Sequence, residues 1–219
     1  MVDGGNCCGV IFDMDGVLVE SYRPHFESWR ITAREYGKDM TEAQFARGFG
    51  RTSREIIRDL WGEVPEAKIL EFDRRKEAVY RELIREKIPA VPGVFELVSA
   101  LATDGFKLAV GSSGPIENVD LVLDGLGLRK YFSAVVSARD VTKGKPDPEV
   151  FLTAAKKLGL APNRCVVIED AVPGIQAAHN AGMKVIALTT SHPKDKLVEA
   201  DLIAADLRGM TANQIRSLL

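Results

Sequence analysis

Ile11-Phe12-Asp13-Met14-Asp15-Gly16 is the stretch on which the fold turns. An apolar run that begins at Cys7 stops at two acidic residues and a glycine. Three distant segments share the pattern of polar or acidic residues closing an apolar run: Val110-Gly111-Ser112-Ser113, Lys145-Pro146-Asp147-Pro148 and Val167-Ile168-Glu169-Asp170. A single acidic residue after an apolar run is usually a turn residue or a helix cap. Four such segments at the ends of candidate parallel strands point to one site, because open α/β sheets hold ligands beyond the carboxyl ends of their strands. Carboxylates gathered there would repel one another unless a positive group sat between them. Carboxylates, a hydroxyl and a lysine together suit a hard divalent cation and a phosphoryl group.

Further runs support a parallel sheet. Phe106 to Val110, Ala134 to Val136, Cys165 to Ile168 and Val185 to Leu188 are short and rich in Val, Ile and Ala. Such runs, apolar on both faces, belong to buried parallel strands. Between them lie stretches of helical period: Val94 to Leu101, Val119 to Leu126, Val150 to Leu158 and Ile175 to Ala181. Gly159 and Gly182 suit the ends of the last two. Alternating strand and helix predicts an α/β fold with a parallel sheet. Residues 22 to 90 break this rhythm. They read as amphipathic helices over His25 to Tyr36, Thr41 to Phe49, Ser53 to Trp61 and Ala67 to Ile84. The expected organisation is an α/β core of residues 1–21 and 91–219 with a helical insertion, a lid or cap, over 22–90.

Composition narrows the function. The chain has 219 residues, 29 Lys plus Arg, 31 Asp plus Glu and a formal net charge of −2. That balance offers no general attraction to nucleic acid or anionic lipid. No apolar stretch is long enough to span a bilayer, and no signal peptide is evident. Three cysteines without metal-ligand spacing, Cys7, Cys8 and Cys165, predict reduced, buried thiols in a cytoplasmic protein.

Asp13-Met14-Asp15-Gly16-Val17-Leu18 resembles the first motif of the haloacid dehalogenase superfamily, and the other three segments match its second, third and fourth motifs in order. The insertion resembles the α-helical cap of its β-phosphoglucomutase and phosphoglycolate-phosphatase-like subfamily. The resemblance implies a Rossmann-like core and a set of roles. Asp13 would be the nucleophile and Asp15 the general acid and base, its backbone carbonyl also reaching the metal. Ser112 and the Ser113 backbone N–H would hold the transferring phosphoryl group. Lys145, which directly precedes the proline, is chosen over Lys143 to neutralise charge. Glu169 and Asp170, with Asp13 and Asp15, would hold Mg2+. Asp15 also separates phosphate-ester chemistry from dehalogenation and phosphonate cleavage, whose enzymes lack this residue.

In the insertion, the resemblance implies substrate-side roles for His25, for Arg51 or Arg54 in Gly50-Arg51-Thr52-Ser53-Arg54, and for Lys76. Phe26 and Trp29 read as packing within the insertion. The resulting expectation is a Mg2+-dependent phosphatase acting on a small phosphorylated metabolite, a sugar phosphate or a phosphoglycolate-like acid. A sugar-phosphate mutase of the β-phosphoglucomutase type is the alternative. A monomer or homodimer is expected.

Overall fold

Six parallel strands form one sheet in the order β3-β2-β1-β4-β5-β6. The computed structural model describes residues 7–49 and 51–219, so residues 1–6 and Gly50 lie outside it. The strands are β1 (Gly9–Phe12), β2 (Lys107–Gly111), β3 (Phe132–Val136), β4 (Cys165–Glu169), β5 (Lys184–Leu188) and β6 (Leu202–Ala204). The first five fall on the expected apolar runs. β6 is a departure from the expected strands: Leu202-Ile203-Ala204 is apolar but only three residues long, and none of the three is buried. It exists because β5 offers it a ladder, from Ile186 against Leu202 to Leu188 against Ala204.

The chain separates into two compact units, one running to Glu20 and resuming over Ile88–Leu219, the other Ser21–Lys87. The sheet unit carries α5 (Val94–Thr103), α6 (Ile116–Gly125), α7 (Glu149–Leu158), α8 (Val172–Asn180) and α9 (Ala212–Arg216). α7 packs on β1, β2 and β3, and α8 on β4 and β5. Their apolar faces meet Ile11, Ala109, Val167 and Val185 in one cluster. The alternate residues Val10, Phe12, Leu108, Val110, Val166 and Ile168 point the other way and are fully buried too. A sheet buried on both faces explains why these strands read as unbroken apolar runs. Burying each such Val, Ile or Phe stabilises the fold by roughly 1.5–3 kcal/mol.

The helical unit contains α1 (Tyr22–Glu35), α2 (Glu42–Gly48), α3 (Ser53–Trp61) and α4 (Glu66–Ile84). α1 begins a turn earlier than its apolar period suggests, since Pro24 is tolerated in a first turn. Thr41 and Thr52 cap α2 and α3, each with a reciprocal bond from Gln44 or Glu55. Phe26, Trp29, Phe45 and Phe72 pack together, as expected for the first two. Trp29 and Phe72 stand 5.1 Å apart, centre to centre, in a tilted arrangement.

Two expectations about the thiols divide. Cys8 and Cys165 are buried and all three cysteines are free, but Cys7 is only partly buried. It lies two residues before β1, outside the strand ladder. Among the described residues, no helix is long and apolar enough to cross a membrane.

Asp201 ties the start of β5 to the approach to β6. It accepts from the Val185 amide at 2.9 Å and from Lys184 Nζ at 2.7 Å. Burial works to raise its pKa, but Lys184, the Val185 amide and His179 hold it below the usual carboxylate value. The stabilisation is therefore complete above the unfolded pKa of about 3.9 and is lost as pH falls below it. Asp201→Ala should cost about 1–3 kcal/mol at neutral pH by leaving the Val185 amide unpaired. Urea unfolding should show this gap narrowing as pH falls below about 4.

Candidate active site

The strand order reverses between β1 and β4, and the chain leaves both strands at their carboxyl ends there. This is the crevice where an open α/β sheet binds ligands. Asp13 follows β1 directly, and its amide donates to the Ile168 carbonyl of β4 at 2.9 Å. Glu169 ends β4 and Asp170 follows it. Ser112 follows β2, and its amide donates to the Val136 carbonyl of β3 at 3.0 Å. The sheet ladder thus fixes the backbone beneath each of these side chains.

Lys145 joins the carboxylates. Its Nζ donates 2.7 Å to Asp13 Oδ1 and 2.7 Å to Glu169 Oε1, and it lies 4.8 Å from the centre of the Phe151 ring. The other Glu169 oxygen accepts from the amides of Asp170 at 2.7 Å and Ala171 at 2.8 Å. Those amides lead into α8, so the carboxylate also complements the start of that helix. Gly174, one turn in, is needed because a Cβ there would collide with the Glu169 carboxylate. Lys143, by contrast, reaches only Asp147, at 3.4 Å, and is largely exposed.

Oxygen atoms of Asp13, Glu169 and Asp170 all lie within 4.8 Å of one another, and all three residues are buried. Burial raises the pKa of Asp13, and the negative charges of Glu169 and Asp15 add to this against the pull of Lys145. Burial likewise raises Asp170 well above the ordinary range, helped by Glu169 and Asp13. Burial alone would lower the Lys145 pKa, but Asp13 and Glu169 outweigh it and keep the ammonium charged. Three carboxylates facing one lysine leave an excess of negative charge. The donor set is oxygen only, which fits a hard divalent cation and not a soft one.

Asp15 is half-buried in a turn in which the amides of Leu18 and Val19 return to the Met14 carbonyl, at 2.8 and 3.2 Å. The position a Cβ would take on Gly114 is 3.3 Å from Ser112 Oγ and 3.9 Å from Asp15 Oδ2. The second strand end therefore approaches Asp15. Ser112 Oγ accepts from the Gly114 amide at 3.0 Å, while Ser113 is exposed beside it.

Residues 10–188 match the family of haloacid dehalogenase-like hydrolases. The chain belongs to that family. A phosphorylated carbohydrates phosphatase from Thermotoga maritima is 37% identical over 182 residues, 81% of this chain and 82% of that protein. The chloroplastic 5-amino-6-(5-phospho-D-ribitylamino)uracil phosphatase of Arabidopsis thaliana is 32% identical over 215 residues, 96% of this chain but only 57% of that longer protein. The crystal structure of a β-phosphoglucomutase from Clostridium difficile matches with a TM-score of 0.84 at 26% identity, covering 96% of each chain.

This hydrolase keeps its remaining candidate residues in the helical unit. Arg51 Nη1 is paired with Asp59 at 2.6 Å, and Arg54 is paired with Glu66. Both arginines are exposed, and Gly50 of the same loop lies outside the described residues. Lys76, on α4, is 6% exposed; its ammonium pairs with Glu77 and lies 5.8 Å from the Trp29 ring. His25, on α1, stacks on Tyr80 with centroids 4.0 Å apart and planes at 7°.

One further element borders the crevice. The loop after β5, Thr189-Thr190-Ser191-His192, lies outside the four sequence motifs, although Val185 to Leu188 is another apolar run ending in polar residues. Thr190 Oγ1 donates 2.6 Å to the Gly16 carbonyl. His192 is half-buried, and burial lowers its pKa against the charge of Glu169.

The excess charge predicts a conflict between stability and function. Because the native state holds the Asp170 proton more tightly than the unfolded chain, metal-free stability should fall as pH rises above about 4. Asp170→Asn should raise the melting temperature in EDTA by about 2–4 °C per kcal/mol of relieved repulsion, and should abolish hydrolysis. Differential scanning calorimetry with and without chelator, beside a phosphate-release assay, checks both.

Proposed function

We propose that the chain is a Mg2+-dependent phosphatase that hydrolyses a small phosphorylated carbohydrate through an aspartyl-phosphate. The observation that carries this reading is the buried Asp13 carboxylate, held by Lys145 and grouped with Glu169 and Asp170. A nucleophile and an oxygen-only metal set on neighbouring strand ends, with a fixed cation beside them, are what phosphoryl transfer requires. The likeness to a phosphorylated carbohydrates phosphatase supports the substrate class.

Asp13 attacks phosphorus, and the bond to the leaving oxygen breaks. Asp15, carrying the proton in this step, gives it to that oxygen and the alcohol departs. Asp15, now a carboxylate, takes a proton from water, whose oxygen attacks the aspartyl-phosphate and frees phosphate and Asp13. Ser112 Oγ and the Ser113 N–H hold the phosphoryl oxygens, and Lys145 offsets their charge against Asp13. Glu169, Asp170, Asp13 and the Asp15 backbone carbonyl would hold Mg2+, which when bound supplies positive charge to the nucleophile and the phosphoryl group. The helical unit Ser21–Lys87 is read as the cap that selects the leaving group.

A mutase of the β-phosphoglucomutase type is the second reading, favoured by the likeness to the Clostridium difficile enzyme. Such a reaction needs a cation for a second phosphate. Arg51 and Arg54 each already hold a carboxylate, which weighs toward the phosphatase.

Asp13→Asn should lower phosphate release by at least about a thousandfold, and Asp15→Ala by about 10²–10⁴-fold. EDTA should abolish activity and Mg2+ restore it. A panel of sugar phosphates and phosphoglycolate, read by phosphate release, tests the substrate class. Bisphosphate-activated conversion of β-glucose 1-phosphate to glucose 6-phosphate, without net phosphate release, would establish the mutase instead.

A further inference from the structure

The loop after β5 meets the site at its tightest point. Gly16 has φ +70°, and a Cβ there would collide with the Asp170 carboxylate and stand 2.8 Å from Ser191 Oγ. The Gly16 backbone, the Asp170 carboxylate and the Ser191 hydroxyl therefore crowd one small space. Thr190 pins the loop there through its bond to the Gly16 carbonyl. Ser191 Oγ is buried and makes no aligned hydrogen bond. It nevertheless stands beside the Asp170 carboxylate, since Asp170 Oδ2 and Ser191 Oγ both lie within 2.8 Å of the Gly16 Cβ position.

Leaving a hydroxyl buried and unpaired costs about 1–3 kcal/mol, so its presence calls for a reason. A carboxylate that binds a cation through one oxygen keeps the other free for a donor. Donors of this kind orient metal ligands and tune affinity. Ser191 has a proton to give, and Asp170 is the acceptor beside it.

We propose that Ser191 is a positioning residue of the cation site. Its hydroxyl donates to the Asp170 oxygen left free when the other ligates Mg2+, and Thr190 holds the loop that carries it. This inference rests on the assignment of Asp170 as a Mg2+ ligand.

The test is isothermal titration of metal-stripped, substrate-free protein with MgCl2, for wild type and for Ser191→Ala, Ser191→Thr, Thr190→Val and Asp170→Asn. Ser191→Ala should weaken Mg2+ binding about tenfold, Thr190→Val should weaken it in the same direction, and Ser191→Thr should restore most of the loss. The melting temperature of Ser191→Ala in EDTA should stay close to that of wild type, because the lost hydroxyl has no aligned acceptor. Two results overturn the proposal while the metal assignment stands: Ser191→Ala binding Mg2+ within about twofold of wild type, or its stability in EDTA falling in step with its affinity. A wild type that binds no Mg2+, or an Asp170→Asn variant that binds it as wild type does, overturns the metal assignment and the proposal together.

Discussion

The Lys145 ammonium, shared between Asp13 and Glu169, is the interaction on which the site depends. Buried carboxylates at adjacent strand ends repel one another in a medium that screens poorly. One cation between them makes the arrangement tolerable without making it neutral. Removing that lysine would leave buried charge uncompensated, which costs several kcal/mol in typical proteins. The unbalanced remainder is what prepares the site for a further positive group and for a phosphoryl anion.

The sheet supplies the rigidity this requires. Asp13, Glu169 and Ser112 each stand on, or one residue beyond, a strand whose neighbours hold it in register. Glu169 also accepts from the amides of Asp170 and Ala171, so its carboxylate is fixed by the turn that leads into α8. Stability of the sheet and placement of the site therefore share hydrogen bonds. The helical unit is organised on different terms, around an aromatic cluster of its own and many exposed ion pairs that each contribute little.

The strands β1 to β5 were legible because each carries an apolar run that stops at a polar or acidic residue or at glycine. Helices α1 to α8 were legible by period, with ends displaced by up to a turn at Tyr22 and Val172, whereas the five-residue α9 was not. β6 escaped because three apolar residues are too short a run to stand out, and the strand forms by pairing with β5. Ser191 and Thr190 escaped although they follow an apolar run, since Thr-Thr-Ser reads as an ordinary turn until Gly16 and Asp170 are seen beside it.

The sequence by itself determined most of the elements and the acidic strand ends, because these are local patterns of residue type and spacing, while the choice of Lys145 over Lys143 came from the family resemblance. Only the tertiary structure decided which strand ends meet and that Lys145 reaches an aspartate 132 residues away. Those outcomes depend on strand order and on contacts between residues far apart in the chain. The physical reason is that a charged side chain takes its partner from whatever the fold brings within a few ångströms, and no local pattern encodes that.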